Sequence, residues 1–284
     1  MIAYVLSLFL VFSPVELAKH DVFDIHEAVS KELITVEVLS KGDYSGQCMA
    51  VVVNPLKGNG YTLRIPAGTH FIAENDPEQD IFVVEEQLLV MTKKESQTFS
   101  VEGFCSQHDD ASPEEGSKFK MTKTNDEKLM ELANFINGKG FSEDAKQSAI
   151  WAVSDGETIA AIFEEDKEEV KELRNYVCEI TERPNPWYNT VQEYRVTETR
   201  RIETSPVVIE GMLEYEVKEP GKMRLSVYKE NGELVRDVFK DVEIAHTGVT
   251  SFNFKGKVKG WDEGGYEVKV FINEKMIHFM PFEV

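Results

Sequence analysis

The sequence predicts a mainly β protein with an α-helical subdomain, in which an N-terminal β-sandwich with a helical segment precedes a second, C-terminal β-sandwich. Three observations predict this fold class. Short strand-like runs separated by turn residues occupy residues 34–105, three helical patterns lie between residues 124 and 180, and strand-like runs return after residue 206. With 284 residues, the chain is long enough for two domains that each bury a core.

The N-terminal sheet is predicted from apolar or alternating runs that Pro, Gly and Asn interrupt. A short helix over residues 21–33 precedes these runs, because its apolar residues recur at helical spacing. Turn residues at Asn54-Pro55 and at Pro66-Ala67-Gly68 separate successive runs. The predicted strands are residues 34–39, 48–53, 61–65, 81–91 and 98–105.

Three helices are predicted after this sheet. An apolar stripe marks the first, over residues 129–136. The second covers residues 145–153, because Ser142 is a favourable N-cap and Gly156 supplies a stop. The third covers residues 165–180, and closely spaced prolines after it cannot continue a helix.

A polar segment leads into the C-terminal sandwich. Its clearest signal is Asn231-Gly232, a type I′ turn sequence between strand-like runs at residues 224–228 and 234–239. The predicted division is a signal peptide over residues 1–18, the sandwich with three helices over 19–188, a linker or connecting strand over 189–205, and the second sandwich over 206–284.

The N-terminus predicts export. Residues 1–12 are largely apolar, too few to span a bilayer, and Ala18 is an acceptable last residue before cleavage. Glu16 is unfavourable at its position and no basic residue precedes the apolar run, so a buried N-terminal strand is the alternative. We expect a secreted protein of the cell envelope, periplasm or extracellular space.

The acidic net charge of the chain limits the classes of partner that it can bind. With 51 acidic and 31 basic residues, the formal net charge is −20. Such a chain repels nucleic acid and anionic membrane surfaces, so we expect a protein or glycan partner at the cell surface. No cofactor or metal is expected. The six histidines lack zinc-site spacing, and the acidic loop 109–115 lacks the EF-hand order, which favours a solvated loop.

Two resemblances cover most of the chain. Residues 225–235, 250–254 and 264–270 resemble the Ig-like domain of flagellar hook-capping proteins and bacterial secretion-tail modules, which implies an Ig-like spacer, stalk or sorting module. Residues 34–188 resemble an uncharacterised bacterial extracellular module. The segments that carry this resemblance are Asn54-Pro55, Ile65-Pro-Ala-Gly-Thr69, Gly103-Phe-Cys105, Ser112-Pro113, Gln147–Trp151 and Pro184-Asn-Pro-Trp-Tyr188.

A narrower resemblance concerns Phe104-Cys105 and Gln147-Ser-Ala-Ile-Trp151, which are similar to motifs of the thioester domains of Gram-positive surface adhesins. The resemblance implies that Cys105 is the thioester sulfur and Gln147 the acyl donor. The spacing between the two is shorter than in those domains. A thioester needs a thiol against a carboxamide in a dry pocket, and Gln147 lies one helical turn before Trp151.

Other interpretations of the same residues remain open. In an exported chain, Cys48 and Cys105 are candidates for a disulfide, whereas Cys178 is predicted to be a buried thiol. His108 lies three residues after Cys105, which leaves a Cys-dependent hydrolase as a second alternative.

The aromatic pair Trp187-Tyr188 is a candidate ligand platform, and the alternative is that it plugs its own domain. The favoured function is a non-enzymatic adhesion or binding protein. The covalent adhesin with a Cys105–Gln147 thioester is its alternative.

Overall fold

The fold is mainly β with a small helical part, which confirms the predicted fold class. A computed structural model describes residues 21–57, 60–165 and 167–284, so the predicted signal peptide lies outside the described residues. Within the described ranges, no helix is long and apolar enough to cross a membrane.

The N-terminal strands, predicted as a β-sandwich, instead close into a barrel of six strands, in the order β2-β3-β8-β6-β5-β9. A separate sheet has the order β1-β4-β7, with β1 parallel to β4. The strands are β1 Val22–Asp24, β2 Ile34–Ser40, β3 Ser45–Pro55, β4 Thr62–Ile65, β5 Thr69–Ala73, β6 Ile81–Phe82, β7 Gln87–Val90, β8 Gln97–Cys105 and β9 Lys118–Lys123.

Strand β9 closes the barrel because it pairs on both sides. It pairs with β5 over its length and with β2 through Val38↔Phe119. The inward-facing residues Val38, Val51 and Phe71 are buried in one core. A register shift in β3 between Gly46 and Met49 bends that strand where it pairs with β8, as bulges do at barrel rims.

Four helices accompany the barrel, and their caps explain where they begin. The helices are α1 Ile25–Ser30, α2 Glu127–Ile136, α3 Glu143–Ser154 and α4 Glu168–Thr181, and a 3₁₀ turn covers Ile159–Ala161. Ser142 Oγ accepts a hydrogen bond from Ala145 N–H, which confirms the predicted N-cap of α3. Asp24 caps α1, so the predicted helix over 21–33 is shorter and follows a strand. Buried side chains of α2, α3 and α4 share a second core.

The C-terminal part is a seven-stranded sandwich, with sheets in the orders β10-β11-β14 and β13-β12-β15-β16. Buried residues from both sheets form one core, as the Ig-like prediction requires. The strands are β10 Tyr188–Val196, β11 Ile202–Val217, β12 Gly221–Lys229, β13 Leu234–Ile244, β14 Gly248–Lys257, β15 Gly265–Ile272 and β16 Lys275–Glu283. Residues 189–205, predicted as a linker or connecting strand, therefore belong to the first hairpin of this sandwich.

The β10–β11 hairpin also holds the sandwich to the barrel. At its tip, Arg200 donates to Glu78 Oε1 at 3.0 Å and to the Ser112 carbonyl at 2.8 Å. Ser112 N–H donates back to the Arg200 carbonyl at 2.7 Å. Along the hairpin, Tyr194 and Ile202 pack on the barrel core. The two parts of the molecule are thus joined by specific polar and apolar contacts.

Candidate functional site

Cys105 and Gln147 lie in direct contact, although 42 residues separate them in the chain. Cys105 is the last residue of β8, and Gln147 lies in the second turn of α3. Gln147 Nε2 donates to the Cys105 carbonyl at 2.8 Å. Cys105 N–H is shared between the Tyr44 carbonyl at 2.8 Å and Gln147 Oε1 at 3.2 Å. The carboxamide therefore binds both main-chain polar groups of the residue that carries the thiol.

Both side chains are shielded from water. The exposed fraction is 0% for Cys105 and 3% for Gln147. Helix α3 contacts β8, and its cap at Ser142 fixes the start of the helix, which sets the position of Gln147 along its axis. The contact between Gln147 and Cys105 is thus buried on both sides.

The Cys105 thiol has two polar neighbours. Its Sγ donates to the Gln107 carbonyl at 3.2 Å and accepts from Trp151 Nε1–H at 3.4 Å. Burial raises the pKa of Cys105 to about 12, and the hydrogen bonds offset this only in part. The thiol is therefore protonated at neutral pH, unlike the activated thiolate of a cysteine hydrolase.

Aromatic residues surround the indole next to the thiol. The ring centroid of Trp151 lies 6.3 Å from that of Tyr44, 6.2 Å from that of Tyr194 and 4.8 Å from that of His108. Tyr194 comes from β10, and its hydroxyl lies 3.4 Å from Ser148 Oγ. The C-terminal sandwich therefore contributes a side chain to the surroundings of the site.

His108 contacts the indole and a carboxylate. Its Nδ1 lies 3.3 Å from Glu157 Oε1, and its buried Nε2 has no hydrogen-bond partner among the described residues. Within the same residues, the hydrogen-bond partners of Cys105 Sγ are Trp151 and Gln107, not His108. This arrangement does not supply the Cys–His pair that the hydrolase alternative needs.

The Cys48–Cys105 disulfide is absent from the structure, in which both cysteines are buried free thiols. The register shift in β3 places Cys48 near Gly103, and Cys48 Sγ donates to the Gly103 carbonyl at 3.4 Å. The two thiols thus have different acceptors. Cys178 is a free, half-buried thiol in α4.

A buried lysine next to Gln147 escaped the sequence analysis. Lys146 Nζ contacts Glu85 and lies 2.8 Å from Glu102 Oε1. Burial lowers the pKa of Lys146, but the two carboxylates more than offset this, so its pKa is raised. These ion pairs hold α3 against the barrel at the residue next to Gln147. A lysine within a helical pattern is usually solvated, so the sequence did not indicate that Lys146 is buried.

A serine, a histidine and an aspartate also meet in the barrel. His70 Nε2 lies 3.1 Å from Ser106 Oγ and 3.9 Å from Asp80 Oδ2. A catalytic triad uses opposite ring nitrogens for its serine and aspartate, whereas here both partners face Nε2. Asp80 also accepts hydrogen bonds from Ala73 N–H and from Gln107, so this cluster orders the loop after Cys105.

The aromatic pair Trp187-Tyr188 lies at the junction with the C-terminal sandwich. Trp187 Nε1–H donates to the Pro281 carbonyl, and Glu283 N–H donates to the Tyr188 hydroxyl. Tyr188 is buried and Trp187 half-buried. Most of their surface is used in packing, as the plug alternative expects, and both residues also line a groove of about 980 Å³.

The loop 109–115 after Cys105 is only partly solvated, because Ala111, Ser112 and Pro113 are buried whereas Asp109, Glu114 and Glu115 are exposed. The Asp109 side chain is fully exposed, whereas Glu114 lies 3.3 Å from Arg200 Nη2. Among the described residues, no group of three or more His, Cys, Asp or Glu side chains is placed to hold a metal ion.

No protein-family model and no curated protein matches the chain. One solved structure is similar over 86% of this chain and 34% of its own, at 10% identity and a TM-score of 0.19. It is described as "putative beta-galactosidase from bacteroides fragilis". The chain spans about a third of that protein's length. At this TM-score the likeness carries no argument about fold or activity.

Proposed function

We propose that this chain is an exported binding protein of the cell envelope or extracellular space whose N-terminal part captures a surface protein through a Cys105–Gln147 thioester. The observation that carries the proposal is the contact of the Gln147 carboxamide with the main chain of Cys105 in a buried site. The Ig-like sandwich serves as a spacer in this proposal. The favoured partner is a protein, because a protein offers lysine amines.

The chemistry requires two acyl transfers. In the first, Cys105 Sγ bonds to the Gln147 carboxamide carbon, the C–N bond breaks, and the thiol proton leaves with the nitrogen as ammonia. In the second, a partner amine bonds to the same carbon and the C–S bond breaks. A proton from the amine then restores the Cys105 thiol. In the net reaction, the partner amine replaces the amide nitrogen of Gln147, which leaves as ammonia. No oxidant or reductant is needed.

The contacts support the first transfer. When sulfur attacks, negative charge develops on Gln147 Oε1, which already accepts from Cys105 N–H at 3.2 Å, a donor that it shares with the Tyr44 carbonyl. A donor that is in place before the reaction stabilises such charge more effectively than water does. Trp151 Nε1–H donates to the attacking sulfur, which favours its thiolate form. Burial also slows hydrolysis of the thioester once it has formed.

A fluorescent primary amine, dansylcadaverine, tests the proposal. The intact protein should acquire a fluorescent label that survives denaturation and maps to Gln147. Cys105→Ala and Gln147→Ala should acquire none. Cys178→Ala is the matched control and should label like the parent, because Cys178 lies in α4 outside the site. The absence of labelling in the parent, or equal labelling of Cys105→Ala, would contradict the proposal.

A non-covalent adhesin with a protein or glycan ligand is the second candidate. One observation favours it: the two hydrogen bonds of Gln147 would hold α3 to the barrel without any reaction, next to a thiol whose pKa is about 12. This candidate predicts partner binding in which Cys105→Ala behaves like the parent, with no label on Gln147.

A further inference from the structure

An open groove of about 980 Å³ lies between the helical part and the C-terminal sandwich. The loop that follows α3 and the segment 183–188 line one side. Residues near the ends of β12, β15 and β16 line the other. The groove is therefore built by both parts of the molecule, and its volume suits a short peptide segment or a small ligand.

The lining of the groove is strongly acidic. It contains a single basic residue, Arg183, and five acidic residues: Asp155, Glu157, Glu230, Glu267 and Glu283. The Arg183 guanidinium donates to the carbonyls of Ala152, Gly156 and Glu157, so its donors are already occupied within one wall.

Three of the five carboxylates, Asp155, Glu230 and Glu283, are exposed and form no ion pair within the described residues. Asp155 Oδ2 accepts a hydrogen bond from Ser154 Oγ at 2.7 Å. Glu230 and Glu283 have no such side-chain partner among those residues and are the more available to a ligand. By contrast, Glu267 lies 2.8 Å from Lys269 Nζ, and Glu157 lies near His108. Glu230 and Glu283 both belong to the C-terminal sandwich, whereas Asp155 lies on the other wall, in the loop after α3.

Aromatic residues complete the lining, namely Trp187, Tyr188, Tyr266 and Phe282. Tyr188, Tyr266 and Phe282 are buried in the core of the sandwich, and Trp187 is half-buried, so Trp187 is the ring that a ligand can contact. An aromatic ring next to carboxylates favours cations, because the ring face attracts positive charge and the carboxylate adds a charge-assisted hydrogen bond. The same surroundings repel acidic ligands, and the net charge of −20 reinforces this preference.

We propose that this groove binds a lysine- or arginine-bearing peptide segment of a protein partner. The occupant is identified by charge complementarity with the carboxylates of the lining and by the half-buried Trp187 ring. This site is distinct from the buried Cys105 and needs no covalent step, so it goes beyond the proposed thioester. The available carboxylates of Glu230 and Glu283 make it selective for basic segments.

Fluorescence anisotropy tests the groove with a fluorescein-labelled octapeptide of alternating lysine and glycine. The measurement uses the full chain carrying Cys105→Ala, which removes covalent capture, so its outcome is independent of the thioester. We expect saturable binding that the double variant Glu230→Gln/Glu283→Gln weakens about tenfold. The matching peptide of glutamate and glycine should not bind.

The double variant Glu95→Gln/Glu172→Gln is the matched control. Both residues are exposed, lie outside the groove lining, and change the net charge by the same amount. It should bind the lysine peptide like the parent. The proposal is overturned if the lysine peptide does not bind, if the glutamate peptide binds equally, or if both double variants weaken binding alike. Circular dichroism melting confirms that each variant is folded.

Discussion

The contact between Gln147 and residue 105 predicts how the free energy of unfolding of a Gln147→Glu variant should depend on pH. Both hydrogen bonds of Gln147 go to main-chain atoms, so a Cys105→Ala parent retains them and cannot form a thioester. In that parent, Gln147→Glu keeps the shape of the side chain but replaces the amide donor by a carboxyl group. When ionised, this group has no proton to donate to the Cys105 carbonyl, and at 3% exposure it is poorly hydrated.

The magnitude follows from the burial. A carboxyl group in such a site has its pKa raised by about 3 units in the folded state. Each unit is worth about 1.4 kcal/mol, so the variant should lose about 4 kcal/mol at pH 8. Because the folded pKa exceeds the unfolded value of about 4.3, the loss begins as the pH rises above 4.3 and is complete above about 7. At pH 4 the protonated group can donate to the carbonyl, so little stability is lost.

Urea denaturation of parent and variant at pH 4 and pH 8 measures this difference. Gln147→Ala in the same parent is the matched control. It removes the donor and leaves a cavity at either pH, so it should lose about 3 kcal/mol at both. The reasoning is refuted if Gln147→Glu is as stable as its parent at pH 8, or if its loss is the same at the two pH values.

Two further predictions concern the contacts around the site. Arg200→Ala leaves the buried Glu78 carboxylate without its cation and should cost about 2–3 kcal/mol and expose the hairpin tip to limited proteolysis. Arg195→Ala, in an exposed pair, should cost much less. Lys146→Met should cost about 2–3 kcal/mol in urea denaturation at pH 7, against under about 1 kcal/mol for the exposed Lys171→Met. Because the folded pKa of Lys146 is raised, its contribution is present at neutral pH and is lost only as the pH rises above about 10.4, through the folded pKa. An equal cost for either matched pair would contradict the corresponding prediction.

Local signals in the sequence predicted the helices and the C-terminal hairpin well. Ser142 is the observed cap of α3. The hairpin forms where Asn231-Gly232 predicted it, but the type I′ turn was wrong, because Gly232 has a positive φ and Asn231 does not. Gly232 N–H donates to the Lys229 carbonyl, so Glu230 and Asn231 are the central residues of the turn and Gly232 follows them. The pairing of Cys105 with Gln147 was implied by a short resemblance, and the structure brings the two residues together. Its geometry, with the carboxamide on the main chain of residue 105, depends on the packing of α3 against β8 and has no local signal.

Elements that depend on distant partners were not predicted. Strand β9 alternates Lys118 and Lys120 with the apolar Phe119 and Met121. It was missed because its pairing with β2 and β5 determines its conformation. This pairing closes the barrel. The β10–β11 hairpin carries many exposed polar residues, so its sequence resembled a linker as much as a strand. The groove also combines residues from both halves of the chain, which no local pattern could reveal.

The intact mass of the untreated mature protein, measured under denaturing, non-reducing conditions, tests the central claim most directly. The proposed thioester predicts a mass lower than the sequence by one ammonia, and the full sequence mass in Cys105→Ala after correction for the substitution. Methylamine should convert the lighter species to the methylamide. A parent with the full sequence mass, or one that is lighter by two hydrogens and responds only to reductant, would contradict the thioester.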